Sequence, residues 1–168
     1  YLGRFDDAMM SGLYIGDKLW GSPFGDMSIG MVIYNKTMFD ELGLEPPKTF
    51  EEMVAISNKL KESDASITPM MHMGKMPMFW PMWFMETYAQ TSGNKSLKNV
   101  NEFLAGERAF TGAEEREAFD QVKAFWDEGI LTSTAFDTDP DGLIAAFSQK
   151  KTAMFFSMGF AYTSALKA

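Results

Sequence analysis

The sequence predicts an α/β protein that forms one domain of ordinary size over its 168 residues. Short apolar runs typical of buried strands alternate along the chain with longer segments whose apolar residues recur at helical spacing. Such alternation favours helices layered around a small sheet. Hydrophobic residues make up 46% of the chain and aromatic residues 14%, which is typical of a globular protein that buries its own core.

Three short runs predict the strands of this sheet. Residues 29–35 (IGMVIYN) are apolar between polar neighbours, and residues 66–71 (SITPMM) form a second run of the same kind. Residues 152–160 (TAMFFSMGF) predict a third strand that continues into a glycine loop.

Helices are predicted from capping and stop signals. Residues 36–43 predict a short helix that ends at Gly43. The clearest helix covers residues 48–63, where Thr49 and Glu52 form a capping box that satisfies free amides at the helix start.

The second half of the chain repeats this pattern. Residues 80–89 predict a helix, residues 94–110 an irregular polar stretch, and a second capping box at Thr111 and Glu114 opens another helix. A last helix begins at Pro140. The buried stripe of the helix after Thr111 is predicted from Phe119, Val122 and either Phe125 or Trp126.

Charge and cysteine content exclude several classes of function. Lys and Arg number 15 against 23 Asp and Glu, so the formal net charge is −8 and nucleic acid or an anionic membrane is not the expected partner. The chain has no cysteine, which excludes thiol catalysis and disulfides. It begins without Met or a signal-peptide pattern, so we expect a processed or excised chain.

Two motifs suggest metals, and each has a competing interpretation. His72 lies among methionines whose soft sulfur atoms suit copper(I), yet methionine also fills cores and lines adaptable pockets. Residues 137–142 (DTDPDG) resemble the start of a calcium loop, but its ninth and twelfth positions are Ala145 and Ser148, which leaves the cage open. An acidic helix start is the simpler interpretation. No metal or other cofactor is predicted.

An enzyme is not predicted either. The only histidine, His72, has no acid partner in the sequence, and no nucleophile elbow or phosphate-binding loop is present. The paired carboxylates at residues 6–7 and 114–115 are adjacent, so on a helix they point apart and make poor acid/base pairs.

Aromatic residues cluster where the predicted strands end. Phe79, Trp80 and Trp83 lie where a loop enters a helix, and Phe160 follows Gly159 after the third strand. Ligands of α/β sheets gather beyond the carboxyl ends of strands, and flat aromatic faces suit the apolar faces of sugar rings. The competing interpretation is that these residues pack in the core, as most Trp and Phe residues do.

Several motifs follow one another in order between residue 20 and residue 168: YNK at residues 34–36, PPKT at 46–49, the Trp80-Pro81 helix start, FWDEG at 125–129 and the Gly159-Phe160 loop. This order resembles that of the sugar-binding solute-binding proteins of ABC importers, the family of maltose-binding protein. It implies a type II periplasmic-binding-protein-like lobe, with residues 1–28 as an N-terminal segment and crossover strand, residues 29–157 as the second lobe, and residues 158–168 as a truncated return crossover.

The resemblance also implies which residues contact ligand. Lys75, Met78 and Phe79 precede Trp80 in the family's ligand-contacting loop, and Phe160 matches an aromatic residue that stacks on sugar. Asp26 and Ser28 lie near a crossover position that supplies polar contacts. The candidate ligand-binding residues are Asp26, Ser28, Lys75, Met78, Phe79, Trp80, Trp83, Gly159 and Phe160.

The implied function is non-catalytic capture of a carbohydrate, expected to be an oligosaccharide, for delivery to an ABC permease. The implied location is periplasmic or extracellular, with a lipid anchor as one possibility for the parent protein. An incomplete lobe exposes apolar faces, so self-association or domain swapping is also expected. The alternative is an interaction module whose Met and aromatic surface binds a partner or a second copy.

Overall fold

The computed structural model describes residues 3, 10, 13–22, 30–93 and 95–157. Among these residues, no helix has both the length and the apolar character needed to cross a membrane. The strands are β1 (Tyr14–Ile15), β2 (Lys18–Leu19), β3 (Met31–Tyr34), β4 (Thr68–Met71) and β5 (Thr152–Ser157). The helices are α1 (Lys36–Glu41), α2 (Phe50–Ser63), α3 (Phe79–Thr91), α4 (Ser96–Leu104), α5 (Ala113–Asp127), α6 (Thr134–Asp137) and α7 (Pro140–Ser148).

The central sheet has the strand order β3-β5-β4. β5 pairs antiparallel with β3, with Met31 opposite Ser157, and parallel with β4, with Met70 opposite Met154. All six residues of β5 are buried. The three strands lie within the runs that predicted them, and the predicted α/β class is confirmed.

Helices cover the sheet on both faces. One face carries the larger core, to which α1, α2, α3 and the end of α5 contribute, and α7 covers the other face. Alternating residues of β5 divide between the faces, because Met154 and Phe156 pack in the larger core and Phe155 in the smaller. The smaller core consists of Ile33, Met73, Phe79, Leu143, Phe147 and Phe155.

A hairpin precedes the sheet. β1 and β2 pair antiparallel, with Tyr14 opposite Leu19, and Gly16 in the turn has a φ of +59° that glycine adopts without strain. No expectation from the sequence covered this hairpin. The proposed boundaries at residues 28 and 158 adjoin residues outside the described part, so the division into three segments stays a prediction.

The first capping box forms nearly as predicted. The Thr49 hydroxyl accepts a hydrogen bond from the Glu52 amide at 3.2 Å, and the Glu52 carboxylate accepts one from the Lys48 amide at 2.6 Å. The Glu52 carboxylate therefore satisfies the amide of Lys48, one residue before the Thr49 amide that the pattern predicts. The box fixes the entry of the chain into α2.

Two expectations for the second half were wrong. Residues 94–110 contain α4, because the buried side chain of Asn99 donates a hydrogen bond to the Tyr88 hydroxyl at 2.7 Å and holds this helix against α3. The second capping box does not form, because α5 begins one residue later than expected and Gly112, which has no side chain, occupies its N-cap.

The network around the start of α5 explains this difference. Arg108 reaches the Glu115 carboxylate at 2.8 Å, and Glu115 also accepts a hydrogen bond from Tyr88. Glu115 is 1% exposed, so its contacts with Arg108 and Tyr88, and not a threonine hydroxyl, fix the helix start. Phe119, expected in the buried stripe, is 51% exposed because it faces outward against Phe84.

Replacement of Thr49 by alanine should lower the free energy of unfolding by about 1 kcal/mol, because α2 loses its N-cap. Thr111→Ala is the matched control, because its hydroxyl caps nothing and its loss should change stability by less than about 0.5 kcal/mol. Urea unfolding followed by circular dichroism measures both. Equal losses for the two variants would contradict the capping assignment.

Candidate functional site

The candidate site lies at the carboxyl ends of the parallel strands β4 and β5. Their register, Thr68 with Thr152 and Met71 with Phe155, brings the ends of both strands to the same edge of the sheet. The loop of residues 72–78 leaves β4 at this edge. Ligands of α/β sheets bind at such edges, because the loops that leave neighbouring strands meet there.

The loop after β4 is fixed by a second segment beside it. The Met70 amide donates to the Ile130 carbonyl at 3.2 Å and the Gly74 amide to the Ala135 carbonyl at 2.9 Å. A Cβ on Gly74 would lie 2.3 Å from the Ala135 oxygen and 2.4 Å from the Trp80 ring. Only glycine therefore lets α6 pack this closely against the loop.

Trp80 is anchored at the start of α3. Its indole N–H donates a hydrogen bond to the Gly74 carbonyl at 3.1 Å. Its ring centroid lies 5.0 Å from that of Phe136 and 5.8 Å from that of Trp126, and Trp126 and Phe136 stack at 4.9 Å with planes 15° apart. These three rings, here called the aromatic triad, lie beside the loop.

His72 lies behind the triad, fully buried. Its ring contacts Trp80 at 4.5 Å and Trp83 at 4.8 Å between centroids, and neither ring nitrogen has a hydrogen-bond partner among the described residues. Burial lowers the pKa of His72 from 6.5 to about 4, so the ring is neutral at neutral pH. The neighbouring Met70 and Met73 are buried in the two cores, as the packing interpretation of the methionines predicts.

Charged groups flank the loop on its exposed side. The Lys75 ammonium lies 3.3 Å from the Asp139 carboxylate, and both side chains are about half exposed. Asp139 also accepts a hydrogen bond from the Gly142 amide at 2.9 Å, which with Lys75 holds its pKa below the usual range. Asp139 is therefore the N-cap of α7, in agreement with the simpler interpretation of the DTDPDG motif.

The structure divides the candidate ligand residues into three groups. Lys75 and Met78 are exposed and Trp80 is partly buried, and all three lie on or beside the loop. Phe79 and Trp83 are 2% and 3% exposed and pack in the smaller and larger cores. Asp26, Ser28, Gly159 and Phe160 lie outside the described residues.

Contact of these nine candidate residues with a ligand therefore stays a prediction. In this structure, Phe79 and Trp83 support the loop from behind. Phe136 was missed by the sequence analysis. It is 54% exposed, and no periodic or motif signal marks the segment in which it lies.

A groove of about 510 Å³ opens on the larger-core face, between α2, α3 and α5. The base of the groove includes the stacked rings of Trp83 and Phe156, whose centroids are 5.2 Å apart. Polar groups line its rim, among them Lys48, Glu51, Glu86, Gln90 and Gln121.

Comparison with protein families identifies the class of protein. The family model described as "Bacterial extracellular solute-binding protein" matches residues 4–168. The chain belongs to this family. No curated protein matches the chain.

Solved structures with the same fold include three whose names or titles mention sugars. A chitin oligosaccharide binding protein has a TM-score of 0.77 at 22% identity, covering 94% of this chain and 38% of the other. A protein from work on xylan utilisation by Caldanaerobius polysaccharolyticus has a TM-score of 0.75 at 21% identity, covering 98% and 40%. A Bacillus licheniformis sugar transporter in complex with stachyose has a TM-score of 0.66 at 16% identity, covering 93% and 40%.

These TM-scores establish the fold, and the coverage shows that the chain spans about two fifths of the length of these proteins. The predicted type II periplasmic-binding-protein fold is thereby confirmed.

The buried His72 should make stability depend on pH. Its folded pKa is about 4 against 6.5 for the free side chain, so as pH falls below 6.5 the unfolded chain takes up a proton that the folded chain does not. Between about pH 7.5 and about pH 5, this linkage should remove about 2 kcal/mol from the free energy of unfolding.

His72→Met is the matched control for the wild type. His72 is the only histidine of the chain, and the contributions of the carboxylates to the pH dependence of stability are the same in both proteins. Urea unfolding at several pH values measures the difference. Parallel stability curves for the two proteins over this range would show that His72 is not held neutral.

Proposed function

We propose that this chain contributes one lobe of a binding protein that captures a carbohydrate, expected to be an oligosaccharide, without changing it chemically, and presents it to an ABC permease. The single observation that carries the proposal is the fixed loop at the carboxyl ends of β4 and β5, which combines Trp80 with the exposed Lys75 and Asp139. Such a mixture of flat rings and hydrogen-bonding groups matches the two kinds of surface on a sugar.

The two kinds of group have different roles in the proposal. Ring faces stack on the C–H faces of a pyranose, which gives affinity with little selectivity. Lys75 and Asp139 bind hydroxyl groups, and they give selectivity because a buried polar group left unpaired costs about 1–3 kcal/mol. Their 3.3 Å ion pair is exposed and weak, so a hydroxyl can enter it at little cost.

The related structures support a sugar as the ligand. They include a chitin oligosaccharide binding protein, a protein from work on xylan utilisation and a sugar transporter in complex with stachyose. A second lobe would close over the same edge of the sheet, and closure of two lobes around a ligand is the conformational signal that a permease recognises.

The proposed location follows from the family. Members are bacterial extracellular proteins, and one structural relative is described as a probable secreted solute-binding lipoprotein from Streptomyces coelicolor, with a TM-score of 0.66 at 18% identity. We propose that the parent protein is periplasmic or extracellular. In cells that lack an outer membrane, a lipid anchor would hold it at the membrane surface.

Self-association is a second candidate function, favoured by exposed apolar residues on α4, on α5 and in the segment between these helices. Leu104, Phe110 and Phe119 are 82%, 46% and 51% exposed, and Phe110 and Phe119 contact each other at 6.0 Å between centroids. Size-exclusion chromatography of the wild type and Phe119→Asp tests it. A dimer that forms without sugar and is lost in the variant would favour this candidate.

The full-length protein should bind an oligosaccharide with a change in tryptophan fluorescence. A titration panel of chitotetraose, xylotetraose and stachyose covers the sugars that the related structures name. Lys75→Met should weaken binding of the panel sugar about tenfold to a hundredfold, because a hydrogen bond from a charged group contributes about 1.5–3 kcal/mol.

Lys36→Met is the matched control, because Lys36 forms an exposed ion pair of 2.7 Å with Asp40 on α1, away from the loop. Mass spectrometry of the recovered sugar distinguishes a binder, which returns it intact, from an enzyme. The proposal fails if no panel sugar binds, or if both lysine variants weaken binding equally.

A further inference from the structure

The aromatic triad presents one ring to solvent in a way that packing alone does not require. Phe136 is 54% exposed, although the two indoles behind it are partly buried. Its centroid lies 4.9 Å from that of Trp126 and 5.0 Å from that of Trp80, so the phenyl ring lies against both indoles while about half of the residue is open to solvent. A phenyl ring held this way forms a flat apolar surface.

The backbone around Phe136 is fixed. The Ala135 carbonyl accepts from Gly74 at 2.9 Å and the Thr138 carbonyl accepts from Lys75 at 3.2 Å, so α6 is joined to the loop on both sides of Phe136. The Thr138 hydroxyl donates to the Thr134 carbonyl at 2.6 Å and closes the turn. The ring is therefore positioned before any ligand arrives, which lowers the entropy cost of binding.

Polar groups border this surface on the side of the loop. The Lys75–Asp139 pair is joined to it through the hydrogen bond between the Lys75 amide and the Thr138 carbonyl. A flat apolar face beside an exposed cation and anion fits a pyranose ring, which is apolar on its face and carries hydroxyl groups at its edge. A purely apolar partner would remove water from both charges without replacing the hydrogen bonds that water makes to them.

We propose that Phe136, supported by Trp126 and Trp80, forms a sugar-stacking subsite of the candidate site and takes one pyranose ring of the bound oligosaccharide. This inference rests on the proposed carbohydrate binding and adds a residue and an element, α6, that the sequence analysis did not include. Phe136 sets affinity through its exposed face, and Trp126 acts as a positioning residue behind it.

Isothermal titration of the full-length protein with chitotetraose and xylotetraose tests the subsite. Phe136→Ala should weaken binding of the sugar that the wild type takes by about tenfold, and Phe136→Trp should restore most of the affinity, because an indole offers an equal or larger flat face. Thermal unfolding should be nearly unchanged in both variants, since the side chain is largely exposed.

Leu42→Ala is the matched control, because Leu42 is an apolar residue that is 38% exposed directly after α1, away from the loop, and its loss should leave the affinity unchanged. If the wild type binds sugar and Phe136→Ala binds it equally well, the subsite is wrong and the proposed function stands. If Phe136→Ala binds sugar with unchanged affinity but import in cells is lost, Phe136 contacts the permease and not the sugar, and the subsite is also overturned. If the wild type binds no oligosaccharide, both proposals fall together.

Discussion

The complete burial of β5 is the constraint on which the rest of the structure depends. A strand buried on both faces needs helices above and below it and a partner strand at each edge, because unpaired backbone groups inside a protein are costly. β3 and β4 supply the edges, and the parallel pairing with β4 requires a long crossover, which α3 to α7 provide. The same pairing brings the ends of β4 and β5 together, so the candidate site exists because β5 is buried.

Local signals predicted most of this framework from the sequence. The three strands lie in short apolar runs, and such runs can be recognised from neighbouring residues alone. The two capping boxes show where local signals lose their value. Thr49 caps α2 as predicted, whereas the same pattern at Thr111 fails because the contact of Arg108 with the buried Glu115 fixes the start of α5. A pattern of four residues does not contain that information.

Long-range contacts explain what the sequence did not predict. α4 has no side-chain capping bond at its start, and it is held by the hydrogen bond from Asn99 to Tyr88, which lies on another helix. Phe136 lies in a segment without periodicity, and its place beside Trp80 is set by the pairing of α6 with the loop after β4. The sequence therefore indicated the candidate residues of the loop itself, but not those of α6, which packs against the loop.

A connected layer of rings joins the exposed edge of the site to the core. It passes from Phe136 through Trp80, His72 and Trp83 to Phe156, with neighbouring centroids 4.5–5.2 Å apart. A protonated His72 would put a charge inside this layer without a hydrogen-bond acceptor among the described residues, so the neutral ring stabilises both the fold and the position of Trp80. Because folding has already fixed these rings, stacking of a sugar on them costs little conformational entropy. The exposed Lys75–Asp139 pair remains the part that adjusts to a particular sugar. Affinity and selectivity thus have separate physical sources in one loop.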